Sequence, residues 1–219
     1  MTTVAAVPVK DLVNAKQRLI PLLVPEERRA LARAMLDDVL DSLRQAPVDA
    51  VYVVTKDPDV AALARQHGFP CLVERANRGH TEAVALAQGV ARAGGAGRFL
   101  TVPGDVPCIT ADEVRSLCSA LGEGPGVVFV PSLSGFGTNA ALLAPPGIMP
   151  LKFGEPSFSN HLEAARERGL APAVLELPGI GLDIDAPEDL ALLLERGSGT
   201  RSAGVLRELG VPGRLPARR

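Results

Sequence analysis

The sequence predicts an α/β fold, a doubly wound and mostly parallel sheet with helices on both faces. Three observations carry that reading. Short β-branched runs alternate with longer stretches of helical periodicity, the pattern of successive βαβ units. The run Val127-Val128-Phe129-Val130 is apolar at every position, as a strand covered on both faces must be. Glycine and proline are abundant, at 22 and 19 residues, which suits many tight turns between short elements better than a helical bundle.

Each element has a local reason. Val4 to Val9 is an apolar run and reads as the first strand. A helix is expected from Pro25 to Ala46, where Leu31, Met35, Val39 and Leu43 recur every four residues and Glu26 and Glu27 sit at its positive end. Val51 to Thr55 is the second strand, and the helix after it starts at Asp57 or Pro58 and runs to His67, where Gly68 ends it. Cys71 to Glu74 reads as a short third strand, followed by a helix from about Thr81 to Ala93. Arg98 to Val102 is the fourth strand. Thr110 and Glu113 have the spacing of a capping box and open a helix that runs to Leu121. Later strands are Val127 to Val130, Asn139 to Leu143 and Ala173 to Leu177; the remaining helices are Ser157 to Arg168 and Pro187 to Arg196. One domain is expected over residues 1–196. A Gly-, Pro- and Arg-rich tail (197–219) follows, with a brief helix near Ser202 to Leu209 and mobile last residues.

Composition excludes several classes of function. With 219 residues the chain can bury a core of its own. Its 23 basic and 25 acidic residues give a net charge of −2, against a nucleic-acid sleeve or a polybasic membrane surface. Six Phe, one Tyr and no Trp leave little for a base-stacking platform. Three cysteines without a CxxC pair argue against a disulfide framework or structural zinc and for a reducing compartment. No signal-peptide layout or membrane-length apolar run is visible, so a cytoplasmic location is expected.

In a doubly wound sheet, ligands bind outside the carboxyl ends of the strands, so the loops there carry the chemistry. The loop after the first strand holds Lys10 and Lys16, two of only four lysines, with Arg18 beside them. Three cations at that place can neutralise a triphosphate and its departing diphosphate, although a solvated basic loop is the plain alternative. Neither a Walker loop nor a GxGxxG turn is present. The fourth strand ends in Gly104-Asp105-Val106-Pro107, which aims one carboxylate rigidly into the cleft. Late in the chain, Asp183 and Asp185 stand two apart and share a direction if they end a strand. With Asp105 they can hold a hard divalent cation, most naturally magnesium on phosphate oxygens. Asp185 has a second reading, as the cap of the helix at Pro187. Ser157 at a helix start either meets an anion or serves as an N-cap, and His161 one turn on has a structural as well as a catalytic reading. His67 and His80 lack partners for a triad, and Cys108 has no mark of a nucleophile. Together these residues suggest a metal-dependent nucleotidyl transfer.

On these motifs the chain resembles the 2-phospho-L-lactate guanylyltransferase family of deazaflavin-coenzyme biosynthesis, which includes phosphoenolpyruvate and 3-phosphoglycerate guanylyltransferases. The resemblance spans about Val4 to Leu194 and rests on five motifs in order. They are Val-Pro-Val-Lys-Asp-Leu-x-x-Ala-Lys-x-Arg-Leu (7–19), Gly-Asp-Val-Pro (104–107), Gly-Thr-Asn-Ala (137–140), Phe-Gly-x-x-Ser-Phe-x-x-His (153–161) and Leu-Asp-Ile-Asp-x-Pro-x-Asp-Leu (182–190). It implies a Rossmann-like nucleotidyltransferase fold of the GT-A type. It also implies that Lys10, Lys16 and Arg18 hold the GTP phosphates and, with Asp105, form the catalytic set. Thr55, Gly79, His80, Thr81 and Gly104 would complete the nucleotide contacts. Asp105, Asp183 and Asp185 would hold Mg²⁺, and Thr138, Gly154 and Ser157 the phospho-acid. That acid's phosphate would attack the α-phosphorus of GTP, with no general base required because the nucleophile is already an anion. The implied partners are GTP, a small phospho-acid and a downstream transferase that uses the diphospho-guanosine product; neither nucleic acid nor membrane is implied, and a homodimer is the assembly considered.

One stretch departs from the family. Where many members read Gly-Leu-Asn, this chain has Arg78-Gly79-His80-Thr81-Glu82, so His80 and Thr81 are expected to replace the hydrogen bonds of that Asn, or the branch to use another phospho-acid. Other readings fit less well. Molybdenum-cofactor nucleotidyltransferases open with a Gly-rich loop in place of Val-Pro-Val-Lys. Glycosyltransferases carry their Asp-x-Asp after a mid-sheet strand, earlier than Asp183-Ile184-Asp185. A catalytically silent nucleotide-binding module would not need both acidic strand ends and both lysines.

Overall fold

All six residues of Thr3–Pro8 are buried, and this first strand, β1, lies in the interior of the sheet. The structure is a computed structural model that describes residues 1–12, 15–74 and 79–215. The other strands are β2 (Ala50–Thr55), β3 (Cys71–Val73), β4 (Arg98–Thr101), β5 (Gly126–Pro131), β6 (Thr138–Ala144) and β7 (Ala173–Val174). They order as β3-β2-β1-β4-β6-β5-β7, and β6 alone runs against the rest. The chain steps outward from β1 to β3, then returns to place β4 on the other flank of β1. The strand order therefore reverses between β1 and β4, and a crevice opens at their carboxyl ends.

The reversed strand matters for the same edge. Because β6 is antiparallel to β4, its first residues lie at the carboxyl edge of the parallel strands, with Thr101 opposite Ala141. Thr138 and Asn139 thus reach the crevice side of the sheet from a strand that starts there.

Helices α1 (Pro25–Gln45), α2 (Pro58–Gln66), α3 (His80–Ala93), α4 (Ala111–Ala120), α5 (Ser157–Arg166), α6 (Pro187–Arg196) and α7 (Arg201–Glu208) cover both faces. Alternate residues of β1 feed two cores: Ala5 and Val7 pack with Leu31, Met35 and Leu193, while Val4 and Ala6 pack with Val84 and Ala87. The four-residue repeat expected of α1 is fully buried, from Leu31 to Leu43. Thr110 and Glu113 close the capping box at 3.2 Å in both directions. The last strand is shorter than expected: only Ala173 and Val174 pair, because β7 is an edge strand held by β5 alone before the chain turns toward Gly181. Among the described residues no helix is long and apolar enough to cross a membrane.

The brief helix expected in the tail after residue 196 forms as α7, and it is docked on the rest of the fold. Ala203, Leu206 and Val211 are completely buried, and α7 lies along α1. The carboxylate of Asp38 in α1 caps this helix, accepting from the backbone N–H groups of Arg201 and Ser202 at 2.8 and 2.9 Å and from the Ser202 hydroxyl. Arg214 pairs with Glu27 beyond it. Gly and Arg in this stretch mask a docking face of few apolar residues; residues 216–219 lie outside the described ones.

Truncating Leu206 to Ala should therefore lower stability by about 2–5 kcal/mol, the range for a fully buried leucine. Urea unfolding would measure it, and a loosely attached tail would show no change.

Candidate active site

The loop after β1 is fastened before it reaches the crevice. Asp57 caps α2 through Oδ1, which accepts from Asp59 N–H, while its Oδ2 accepts from Leu12 N–H at 2.8 Å. Buried Arg28 donates to the Leu23 carbonyl at 3.0 Å and to that of Ala15 at 3.4 Å. Between these anchors Lys16 adopts the left-handed conformation (φ 56°, ψ 45°), which is unusual for a residue with a side chain. The turn carries its side chain inward, where only 7% remains exposed. Arg18, two residues on in the 3₁₀ turn Gln17–Leu19, is exposed instead.

Lys16 Nζ lies 2.6 Å from Asp105 Oδ2 and 2.7 Å from Asp185 Oδ1. Each carboxylate is delivered by its own backbone device. Gly104 lets the turn after β4 pack against the sheet, since a Cβ there would stand 3.0 Å from Val9 Cγ2. Asp105's carbonyl accepts from Ile184 N–H at 3.0 Å and ties the two acidic loops together. Asp185 does not cap α6. That task falls to Asp189, whose Oδ2 accepts from the N–H groups of Asp185 and Ala186, leaving the Asp185 carboxylate for Lys16. Asp183 stands beside them, its Oδ1 accepting from Asn139 Nδ2 at 3.0 Å; the same amide nitrogen also reaches the carbonyls of Ile180 and Gly181.

The charges are strongly coupled. Burial alone would lower the Lys16 pKa, but Asp105 and Asp185 outweigh it and hold the ammonium above its usual value. Burial pushes Asp105 up, and Lys16 more than reverses this, keeping it ionised. Asp183 is raised, chiefly by burial and further by Asp105 and Asp185, with its Asn139 bond as a partial offset. Three carboxylates thus share one field with a single ammonium among them. Among the described residues they do not form a ready cage of three metal ligands. Their hard oxygen donors and surplus negative charge do fit a divalent cation such as Mg²⁺.

Lys16, Asp105 and Asp185 line a cleft of about 370 Å³ that also takes in Lys10, Met35, His80 and Gly104; Asp183 is not part of that lining. Lys10 is exposed at its mouth. His80 opens α3 after Gly79, whose φ of 101° favours glycine. Burial lowers the His80 pKa to about 4, with Asp105 opposing and Lys10 adding to the shift, so the ring is neutral at pH 7.

Three sequence expectations meet a different placement, and one residue of the departing stretch is not among the described ones. Arg18 does not line the cleft. Thr55 is completely buried, and its hydroxyl accepts from Asp57 N–H at 3.0 Å, so it supports the loop anchor rather than facing a nucleotide. Thr81 is spent on Phe153: its Oγ1 accepts from Phe153 N–H at 2.9 Å and donates to Phe153 O at 3.3 Å. Arg78 lies outside the described residues.

The acceptor cluster expected at Thr138, Gly154 and Ser157 is a buried network plus an exposed glycine. Ser157 Oγ accepts from Thr138 N–H at 3.0 Å, so it holds β6 to α5 and is not a helix cap. His161 Nε2 accepts from Lys152 N–H at 3.0 Å, which places the proton on Nδ1 for donation to Thr138 Oγ1 at 2.9 Å. Burial lowers this histidine to about 4 and keeps it neutral. Its structural reading holds. Gly154, at φ 123°, is exposed beside this network. Sequence reasoning gave no role to Asn139, Asp57, Arg28 and Asp189, whose partners are mostly backbone atoms; Asn139 and Asp189 stand within motifs and Asp57 at an expected helix start, but none of these signals shows the distant partner.

Known proteins resemble this chain closely. The family model described as "Guanylyl transferase CofC like" matches residues 3–215. A phosphoenolpyruvate guanylyltransferase of Sphaerobacter thermophilus is 43% identical over 191 residues, covering 87% of this chain and 91% of that protein. A 2-phospho-L-lactate guanylyltransferase of Methanothermobacter thermautotrophicus is 37% identical over 209 residues, with 95% and 92% covered. A solved cytidylyltransferase of Leptospira borgpetersenii superposes with a TM-score of 0.64 at 11% identity, over 100% of this chain and 98% of its own. At that identity the likeness is one of fold, the nucleotidyltransferase-like α/β sandwich.

Two outcomes follow from this geometry. Lys16→Met leaves Asp105 and Asp185 facing each other; since they keep 32% and 47% of their exposure, the loss should be on the order of 1–2 kcal/mol, less than for a fully buried pair. Adding Asp185→Asn should restore part of it in urea unfolding. His161 titrates near 4 when folded and near 6.5 when unfolded, so the unfolded chain binds the proton first as pH falls. Its contribution is full above pH 6.5 and is lost as pH falls to about 4, by up to about 3 kcal/mol. Unfolding midpoints at pH 7 and 4.5 should therefore converge more in His161→Gln than in the wild type.

Proposed function

Because the chain belongs to the guanylyl transferase CofC-like family, we propose that it transfers GMP from GTP to the phosphate of phosphoenolpyruvate and releases diphosphate. The observation that carries the chemistry is Lys16, buried at the switch point between β1 and β4 and shared by the carboxylates of Asp105 and Asp185. Phosphoenolpyruvate is preferred as acceptor because the bacterial relatives at 43% identity carry that name, and 2-phospho-L-lactate is the second candidate. Molybdenum-cofactor chemistry and a silent binding module are not favoured.

In this reading Lys10 at the cleft mouth and Lys16 in its wall meet the triphosphate and stabilise charge that builds on the departing diphosphate. Asp105, Asp183 and Asp185 would hold Mg²⁺, which would supply charge neutralisation at phosphate oxygens. The acceptor lies against the Phe153–Gly154 segment, which adjoins the cleft through His80. One of its phosphate oxygens bonds to the α-phosphorus, and the bond from that phosphorus to the bridging oxygen breaks as diphosphate leaves with the electron pair. No proton needs removing from an ionised phosphate, which agrees with the commitment of both His161 ring nitrogens to structural bonds.

A matrix of four nucleoside triphosphates against phosphoenolpyruvate, 2-phospho-L-lactate and 3-phosphoglycerate tests this, scored by diphosphate release and product mass. GTP with phosphoenolpyruvate should give the highest kcat/KM, and diphosphate release with no phospho-acid adduct would refute the reading. Asp105→Asn should cut turnover by a hundred-fold or so, several kcal/mol of transition-state stabilisation, while the far-UV circular dichroism stays native.

A further inference from the structure

The segment between β6 and α5 is held by side chains: Gln88 of α3 donates to the carbonyls of Pro146 and Met149, and Thr81 and His161 take its far end. Thr81, in the first turn of α3, bonds both the N–H and the C=O of Phe153, 72 residues away. His161, in α5, takes the N–H of Lys152 at 3.0 Å. The Phe153 ring sits between two imidazoles, 4.4 Å from His80 and 5.2 Å from His161, edge-on to both. His161 in turn stacks on Phe129 of the central sheet at 5.4 Å. A continuous column therefore runs from the core strand β5 through His161 and Phe153 to His80 at the cleft. Adjacent residues of α3 divide the work: His80 lines the cleft, and Thr81 grips the segment that ends at exposed Gly154.

We propose that Thr81 is a positioning residue for the phospho-acid, its hydroxyl fixing the Lys152–Gly154 backbone at the set distance from the nucleotide cleft that in-line attack requires. This rests on the acceptor placement given above. The expected replacement of the family's Asn by Thr81 at the nucleotide is thereby reassigned to the acceptor side. A valine there keeps the shape but orphans the Phe153 amide, whereas a serine keeps the hydroxyl. Displacing the segment by even a fraction of an ångström costs alignment of the attacking oxygen.

The test compares wild type, Thr81→Val, Thr81→Ala and Thr81→Ser by steady-state kinetics and by hydrogen exchange at the Lys152 and Phe153 amides. Thr81→Val should raise the phosphoenolpyruvate KM about tenfold and leave the GTP KM within about twofold, with faster Phe153 exchange. Thr81→Ala should behave the same way, which guards against a packing defect particular to valine, and Thr81→Ser should restore both readouts. Faster exchange with an unmoved acceptor KM would make the hydroxyl merely structural and overturn the proposal. A rise confined to the GTP KM would overturn it as well, by returning Thr81 to the nucleotide. A wild-type enzyme inactive with every phospho-acid would refute the proposed function itself, an outcome distinct from either.

Discussion

An ammonium held between two carboxylates is the interaction on which this site depends. Lys16 comes from the loop after β1, Asp105 from the turn after β4 and Asp185 from the approach to α6, separated by 89 and 169 residues from the lysine. Without a shared cation these acidic loops would repel each other at the mouth of the sheet. With it they close around the crevice that the strand order creates. The left-handed backbone of Lys16 is the local cost of aiming that one side chain inward, and the anchors at Asp57 and Arg28 make the conformation tenable.

A second tier of bonds keeps the acidic side rigid. Asn139 holds Asp183, Glu113 accepts from Gly179 N–H at 2.7 Å, and Asp105's own carbonyl receives Ile184. Gly179 cannot be replaced without collision, since a Cβ would lie 2.2 Å from the Cys108 carbonyl oxygen. The antiparallel β6 is what brings Asn139 to this edge. The site thus has one side set by charge and another set by amide and hydroxyl networks, and the neutral histidines belong to the second.

Periodicity made the fold legible, and the strand end before Asp105 made its placement legible; Asp183 and Asp185 reach the same edge from a segment that forms no strand, so the strand end expected there is not what aims them. The hydroxyl residues were not legible in the same way. Thr55, Thr81, Thr138 and Ser157 sit at the ends of strands and helices, where ligand contacts are expected, yet each one's hydroxyl is taken by a backbone amide or a neighbouring side chain. A short polar side chain is equally suited to a ligand or to a neighbour, and only distance in the folded chain separates the two. Arg18 differs from Lys16 for a related reason: the left-handed residue at Lys16 and the 3₁₀ turn that follows it point the two cations in different directions. Helix α7 was legible as a brief helix, but its docking was not, because Leu206 and Val211 are too few to make a periodic signal and the cap that docks it comes from Asp38 in another helix.

The central claim is that Lys16 sits where the α-phosphorus of GTP is attacked by a phospho-acid. It is tested most directly by following GTP radiolabelled at the α-phosphorus in the presence of phosphoenolpyruvate, with wild type and Lys16→Met compared at matched folded fraction. The label should pass into a product containing both GMP and the phospho-acid with wild type, and transfer should fall by two orders of magnitude or so in the variant. Label released as free GMP, or transferred equally well without the lysine, would contradict the account.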